Sequence, residues 1–327
     1  MSQATASIKP AHFTFANGWQ FKLGIAASII TTLIWSAFFL ATRAGVTSTL
    51  TSFDLALLRF GFAAIVLLPI TLRHWPSIVA IPKTLLIGIL VGAGVPLFFL
   101  MSVGAELAPA SHAGLIITGT TPIFISLAAV LFFKEKLRKQ KIIGLSLIGA
   151  GILALLVLAF WEGDTSYWKG DVLFLCAAAC WATFSICIRV AALPPLAVAG
   201  FLSLVSTFIL LALLALGLVD SGFTDVSAEQ LAIQVLVQSL GVGLLAAFTY
   251  GYAVNKIGAE RSAAIGSLTP VLVGVAAVPL LGETLGLSSL AGMILVFIGV
   301  ILSSGVKIPQ LAKYSSKNVT HTRSFAE

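Results

Sequence analysis

Charge is what this sequence has least of. Of 327 residues only 9% are charged, against 59% hydrophobic, and the mean hydropathy is +1.08. A soluble domain cannot hide that much apolar surface, so an integral membrane protein is expected. Cysteine is nearly absent: Cys176, Cys180 and Cys187 share one apolar run. That excludes a disulfide scaffold, and without neighbouring donors they make no metal site; small apolar packing is their reading. No G-x-x-x-x-G-K-[ST] loop is present to hold ATP, so any work must draw on a gradient. The twelve acidic residues are scattered and almost none lies at membrane depth, which argues against a membrane-embedded enzyme, whose metal or acid–base chemistry needs them clustered. No cofactor is implied.

What is abundant is long apolar runs. They recur over about 23–43, 53–72, 84–105, 109–133, 141–160, 170–191, 194–218, 231–253, 259–281 and 286–305, each long enough to cross about 30 Å of hydrocarbon at 1.5 Å per residue. They are apolar throughout, without the alternation of a lipid-facing strand, so helices rather than a barrel are expected. The fold class is an all-α membrane protein of ten transmembrane helices. The first run is long enough to span and is read as a retained helix, not a cleaved signal. Residues 1–22 and 306–327 are read as cytoplasmic tails, the second polar and basic with little to bury.

The net charge of +7 sorts by side of the membrane. With the N-terminus inside, sixteen of the nineteen basic residues fall in cytoplasmic segments, Lys134, Lys136, Arg138, Lys139 and Lys141 among them; outside lie Arg43 and Lys169, and Arg59 sits within a span. This bias puts both termini in the cytoplasm of an inner-membrane protein. Topology therefore explains the basic residues, and nucleic acid is not a partner.

The chain also repeats itself. An offset of 148 matches Thr121, Pro122, Ala128, Ala129, Val130, Glu135, Gly144 and Gly151 with Thr269, Pro270, Ala276, Ala277, Val278, Glu283, Gly292 and Gly299. An offset of 146 pairs Trp35 and Arg43 with Trp181 and Arg189. Two units of five helices result, 23–160 and 161–305, and because five is odd the second crosses the membrane in the opposite sense. Inverted repeats of this kind are the signature of secondary transporters that open a central site to either side in turn.

The stretches TPIFISLAAVLFFKEKL and TPVLVGVAAVPLLGETL, each with a mid-span Pro, a terminal Glu and a following Gly-x6-Gly, resemble the EamA family of the drug/metabolite transporter superfamily. The resemblance covers about residues 25–305 as two units. It implies a ten-helix inner-membrane exporter of small metabolites, amino acids or drugs with a central cavity.

Candidate site residues follow from polarity at depth. Pro122 and Pro270 each free a carbonyl one turn earlier, at Thr118 and Gly266, which reads as a packing kink or as a cavity-lining, gating bend. Arg59, about seven residues into the second span, either snorkels or meets a substrate anion, with Asp54 near enough to compensate it. His112, at the start of the fourth span, is either structural or handles substrate or protons. Trp35 and Trp181 occupy matched mid-span positions, too deep for an interfacial belt, and with Tyr250 they are candidates to line the cavity. Ser28, Thr31 and Thr32 on the first span, and Gln234 and Gln238 on the eighth, form polar stripes that serve as packing glue or as cavity lining. Glu135 and Glu283 are read as structural, at the starts of the fifth and tenth helices.

The expected function is export of small metabolites such as amino acids, apolar or aromatic ones among them, or drugs, by alternating access. Arg59, His112, Thr118, Gln238, Trp35, Trp181 and Tyr250 are the candidate substrate contacts. An exchanger of phosphorylated sugars or nucleotide-sugars is the alternative, although it calls for several cavity cations. The expected partners are a small-molecule substrate, the bilayer and, as candidate coupling ions, protons; a monomer or weak dimer is expected.

Overall fold

The computed structural model describes residues 18–161 and 166–304; the tail at 306–327 and most of the one at 1–22 lie outside the described residues. Among the described residues the regular structure is entirely helical. The first unit comprises α1 (Gly18–Val46), α2 (Ser52–Arg73), the short α3 (Trp75–Val79), α4 (Lys83–Ala93) and α5 (Val95–Leu107), α6 (Ala110–Phe133) and α7 (Lys139–Trp161). The second comprises α8 (Trp168–Ala191), α9 (Pro195–Ala215), α10 (Ala228–Gln234), a π-helix (Val235–Leu245), α11 (Ala246–Ile257), α12 (Ala259–Gly266), α13 (Thr269–Leu281) and α14 (Leu287–Ser303). Nine stretches among the described residues are long and apolar enough to span, and α14, with 17 residues, is a shorter apolar helix. At 1.5 Å per residue α14 reaches roughly 25 Å, the short end of a spanning helix.

The two units interlace. The first helix of each packs on the third and fourth spans of the other: α1 on α11 and α13, α8 on α4, α5 and α6. The second spans meet each other, α2 on α9, and so do the fifth, α7 on α14. Lipid supplies no hydrophobic drive between helices, so close approach of small residues must supply it. The Gly-x6-Gly motifs do this reciprocally on α7 and α14. A Cβ on Gly144 would sit 2.6 Å from the Gly299 carbonyl, and one on Gly299 2.7 Å from the Gly144 carbonyl. Large apolar side chains such as Ile65 and Phe132 point outward, while Thr31, Thr32, Ser36, Ser206 and Gln238 are buried. The α1 stripe acts as glue: Thr31 Oγ1 lies 2.7 Å from Thr249 Oγ1 on α11.

The matched prolines behave differently. α6 runs unbroken through Pro122, whereas the ninth span stops at Gly266 and restarts at Thr269, with Pro270 as the second residue of α13. On α6 the hydroxyls of Thr118, Thr120 and Thr121 bond back to the carbonyls of Gly114, Ile116 and Ile117. The ninth span has a Gly266–Ser267 pair just before its proline, a usual place for a helix to kink.

The matched helix ends behave alike. Lys134 (φ 53°) and Gly282 (φ 67°) adopt left-handed backbone after α6 and α13, and the Glu135 and Glu283 amides bond back to the carbonyls of Ala129 and Ala277 at 3.1 and 3.3 Å. These turns aim both glutamates, and the aim departs from the sequence reading: each carboxylate reaches the other repeat rather than the start of its own next helix.

Gly299→Ala should lower stability by about 1–3 kcal/mol through forced helix separation, whereas Gly149→Ala, with open space around its Cβ, should leave the melting temperature unchanged or slightly raised. Thermal unfolding of the two purified variants checks this.

Candidate functional site

Two ion pairs join the repeats reciprocally. Arg43, closing α1, lies 3.9 Å from Glu283 beyond α13, and Arg189, closing α8, lies 3.0 Å from Glu135 beyond α6. By the sequence offsets these are the same pair written twice, at opposite faces of the bundle. They are unequal in this structure. Glu283 is nearly buried and also accepts the amides of Ala110 (2.6 Å) and Ser111 (3.2 Å) and the Ser111 hydroxyl (3.1 Å), capping α6 where its dipole favours an anion. Arg43 further donates to the carbonyls of Ala105 and Glu106. The Arg189–Glu135 pair, by contrast, is 64% and 40% exposed. The Arg43 face is therefore the more firmly sealed.

His112 and Asp171 add to that seal. Both are buried, and Nδ1 of His112 lies 2.9 Å from Oδ1 of Asp171, linking α6 to α8, with the Tyr167 ring edge-on to the imidazole.

Deeper in, the Arg59 guanidinium on α2 lies over three phenylalanine rings, its Cζ 4.7 Å from the centroid of Phe38, 5.4 Å from Phe60 and 5.7 Å from Phe98. Cation–π attraction offsets part of its desolvation, yet among the described residues Nη1 is buried without a hydrogen-bond partner. Asp54, the compensating acid read from sequence, is engaged elsewhere. It accepts the Thr51 amide and hydroxyl at 2.9 and 3.0 Å, the Ser221 hydroxyl at 2.6 Å and the Gly222 amide at 2.8 Å.

One turn along α1 from Phe38, Thr42 Oγ1 accepts the Gln238 side-chain amide at 3.1 Å. Gln238 also donates to Gln234 at 3.3 Å, and Gln234 donates to the Ala41 carbonyl at 2.6 Å. Oε1 of the fully buried Gln238 has no partner. Gln238 sits on the π-helix, a widened turn of the kind that gathers at functional sites. Arg59 on α2 and Gln238 on the π-helix, each with an unpartnered buried atom, thus touch the same strip of α1, at Phe38 and Thr42. Buried polar atoms are seldom left so, and each exception calls for an explanation.

The remaining candidates have neighbours of their own. Trp35 packs at a tilt against Tyr250, centroids 5.4 Å apart, and Trp181 against Phe184 at 5.1 Å, so each ring has its own aromatic neighbour. Thr118 is half-buried beside Pro122. An open crevice of about 290 Å³ between α5 and α9 is lined by Val95, Pro96, Phe99, Ile209 and Leu213, with no polar group to orient a solute.

The model of the EamA-like transporter family matches residues 22–157 and 168–305, the two interlaced units. This chain belongs to the EamA-like transporter family. It is 32% identical over 150 residues, 45% of its length, to the uncharacterized transporter YdfC of Bacillus subtilis (strain 168), and the match spans about half of that relative, 46%. A solved crystal structure with 24% identity superposes at a TM-score of 0.57, covering 87% of this chain and 97% of the other, and shows the same fold. As an EamA-like chain it is a multi-pass membrane protein.

Sequence reasoning missed Phe38, Phe60 and Phe98, which in a chain with 22 phenylalanines carry no signal. It also missed Asp171, whose signal was present: an acid in the first turn of a span. If the two ion pairs differ as their burial indicates, Glu283→Gln should destabilise the protein by about 2–4 kcal/mol, because it leaves Arg43 and two amides short of an anion. Glu135→Gln should cost about 0–1 kcal/mol. Melting temperatures of the two variants check the order.

Proposed function

We propose that this EamA-like chain is a secondary transporter that exports small metabolites, amino acids and apolar or aromatic solutes among them, across the inner membrane by alternating access, with both termini cytoplasmic. On that orientation the Arg43 face is external and the Arg189 face cytoplasmic, as the basic bias requires. The observation that carries the reading is the pair of orphaned atoms. In a dry interior an unpaired guanidinium is costly, and a solute carboxylate would pair with Arg59 Nη1 while a solute N–H would pair with Gln238 Oε1. Phe38, Phe98, Trp35, Trp181 and Tyr250 supply apolar and aromatic walls around these polar handles. Pro122 beside Thr118, and the helix break before Pro270, are the places where helix halves would pivot.

The test is a thermal-stability screen of purified protein against amino acids, polyamines, sugar phosphates and dyes. A ligand at about 100 times its Kd stabilises by about 2.7 kcal/mol, and an amino acid should give that response. Arg59→Met should abolish it while leaving the unliganded protein as stable or more so, since an unpaired buried charge is removed. A response to sugar phosphates alone would replace this reading with the exchanger. Loss of ligand response in Arg59→Met together with unfolding would mean that Arg59 is structural.

A further inference from the structure

The two ion pairs are duplicated, but the His112–Asp171 pair is not. The offset of 148 places Glu260 opposite His112, and that of 146 places Ile25 opposite Asp171. One face alone therefore has a buried imidazole and carboxylate joining the repeats, 2.9 Å apart between α6 and α8. Histidine is the side chain whose ordinary titration falls in the physiological range. We infer that the His112–Asp171 pair is a proton-binding site that latches the Arg43 face shut.

The chemistry sets the sign. With the carboxylate ionised, Nδ1 carries the hydrogen and donates to Oδ1, so an incoming proton goes to Nε2 and the imidazole passes from neutral to +1 without breaking a bond. A hydrogen bond between two ionised groups is shorter and stronger than one with a neutral partner, so proton binding tightens the latch and proton release loosens it.

The charged groups around the pair are few and can be named. Asp171 stands in the first turn of α8. Glu283 holds the Ser111 amide next to His112 and so offsets the positive end of α6. Glu106 at the end of α5 is a third acid, and Arg43 on α1, beside Glu283, is the cation among them. Lys169 is exposed, with its ammonium 5.9 Å over the Trp168 ring, and Tyr167 meets the imidazole edge-on. α13 and α14 contribute no titratable side chain, and the cations of α7, Lys139 and Lys141, are at its other end.

This goes beyond the transport reading by naming a coupling ion and its seat, and it is tested without any substrate. Hydrogen exchange of the Ala110–His112 amides is measured in lipid nanodiscs between pH 8 and pH 5.5, corrected for intrinsic rates. The wild-type protein should gain at least threefold protection as pH falls, and His112→Gln and Asp171→Asn should each flatten that response. An unchanged pH response in both variants, or none in the wild-type protein, would overturn the proposal. Because two different side chains are altered, misfolding of one variant leaves the other to decide, and a failed latch leaves the substrate screen unaffected.

Discussion

Hydrocarbon offers no hydrogen bonds, so every polar atom carried into a span either finds a partner inside the bundle or stays unpaired at a cost of several kcal/mol. Most of this structure is an answer to that rule. Serine and threonine hydroxyls on α1 and α6 turn back to carbonyls one turn earlier. Asp54, at the mouth of α2, gathers four donors, and Glu283 gathers three besides Arg43. Against that background four buried atoms lack a partner among the described residues, Arg59 Nη1, Gln238 Oε1, Ser206 Oγ and Thr269 Oγ1, and the first two belong to side chains that touch the same strip of α1.

The same rule explains why the repeats are locked by reciprocal contacts. A cation at the end of one unit's first helix needs an anion, and the duplicated sequence supplies it from the turn after the other unit's fourth span. One pair being nearly buried and the other exposed gives the bundle two faces of unequal closure from one repeated motif. The units also depart from symmetry: a break before Pro270 but not at Pro122, a π-helix in the eighth span but an ordinary break at Gly94 in the third, and the His112–Asp171 link on one face.

Much of the architecture was legible because it rests on periodic, redundant signals: the ten apolar runs, the basic bias and the offset that pairs Gly144 with Gly292 and Glu135 with Glu283 all survive in one dimension. The glutamates' partners were not legible. A sequence repeat shows that two turns are alike, but that each side chain crosses to the opposite unit depends on how the units interlace. Asp54 misled for a related reason: five residues from Arg59 along the chain, it faces the Ser221–Gly222 turn instead. The phenylalanines around Arg59 were invisible because an apolar residue in an apolar span looks the same whether it meets lipid or a guanidinium.

The central claim is that matched Arg–Glu pairs close opposite faces over one shared interior. The most direct measurement is labelling of a single cysteine introduced at Thr118, in a background free of Cys176, Cys180 and Cys187, with a membrane-impermeant thiol reagent applied to each side of oriented vesicles. Glu283→Gln should raise labelling from the Arg43 side, and Glu135→Gln from the opposite side. Labelling that rises from the same side in both variants, or in neither, would contradict the account.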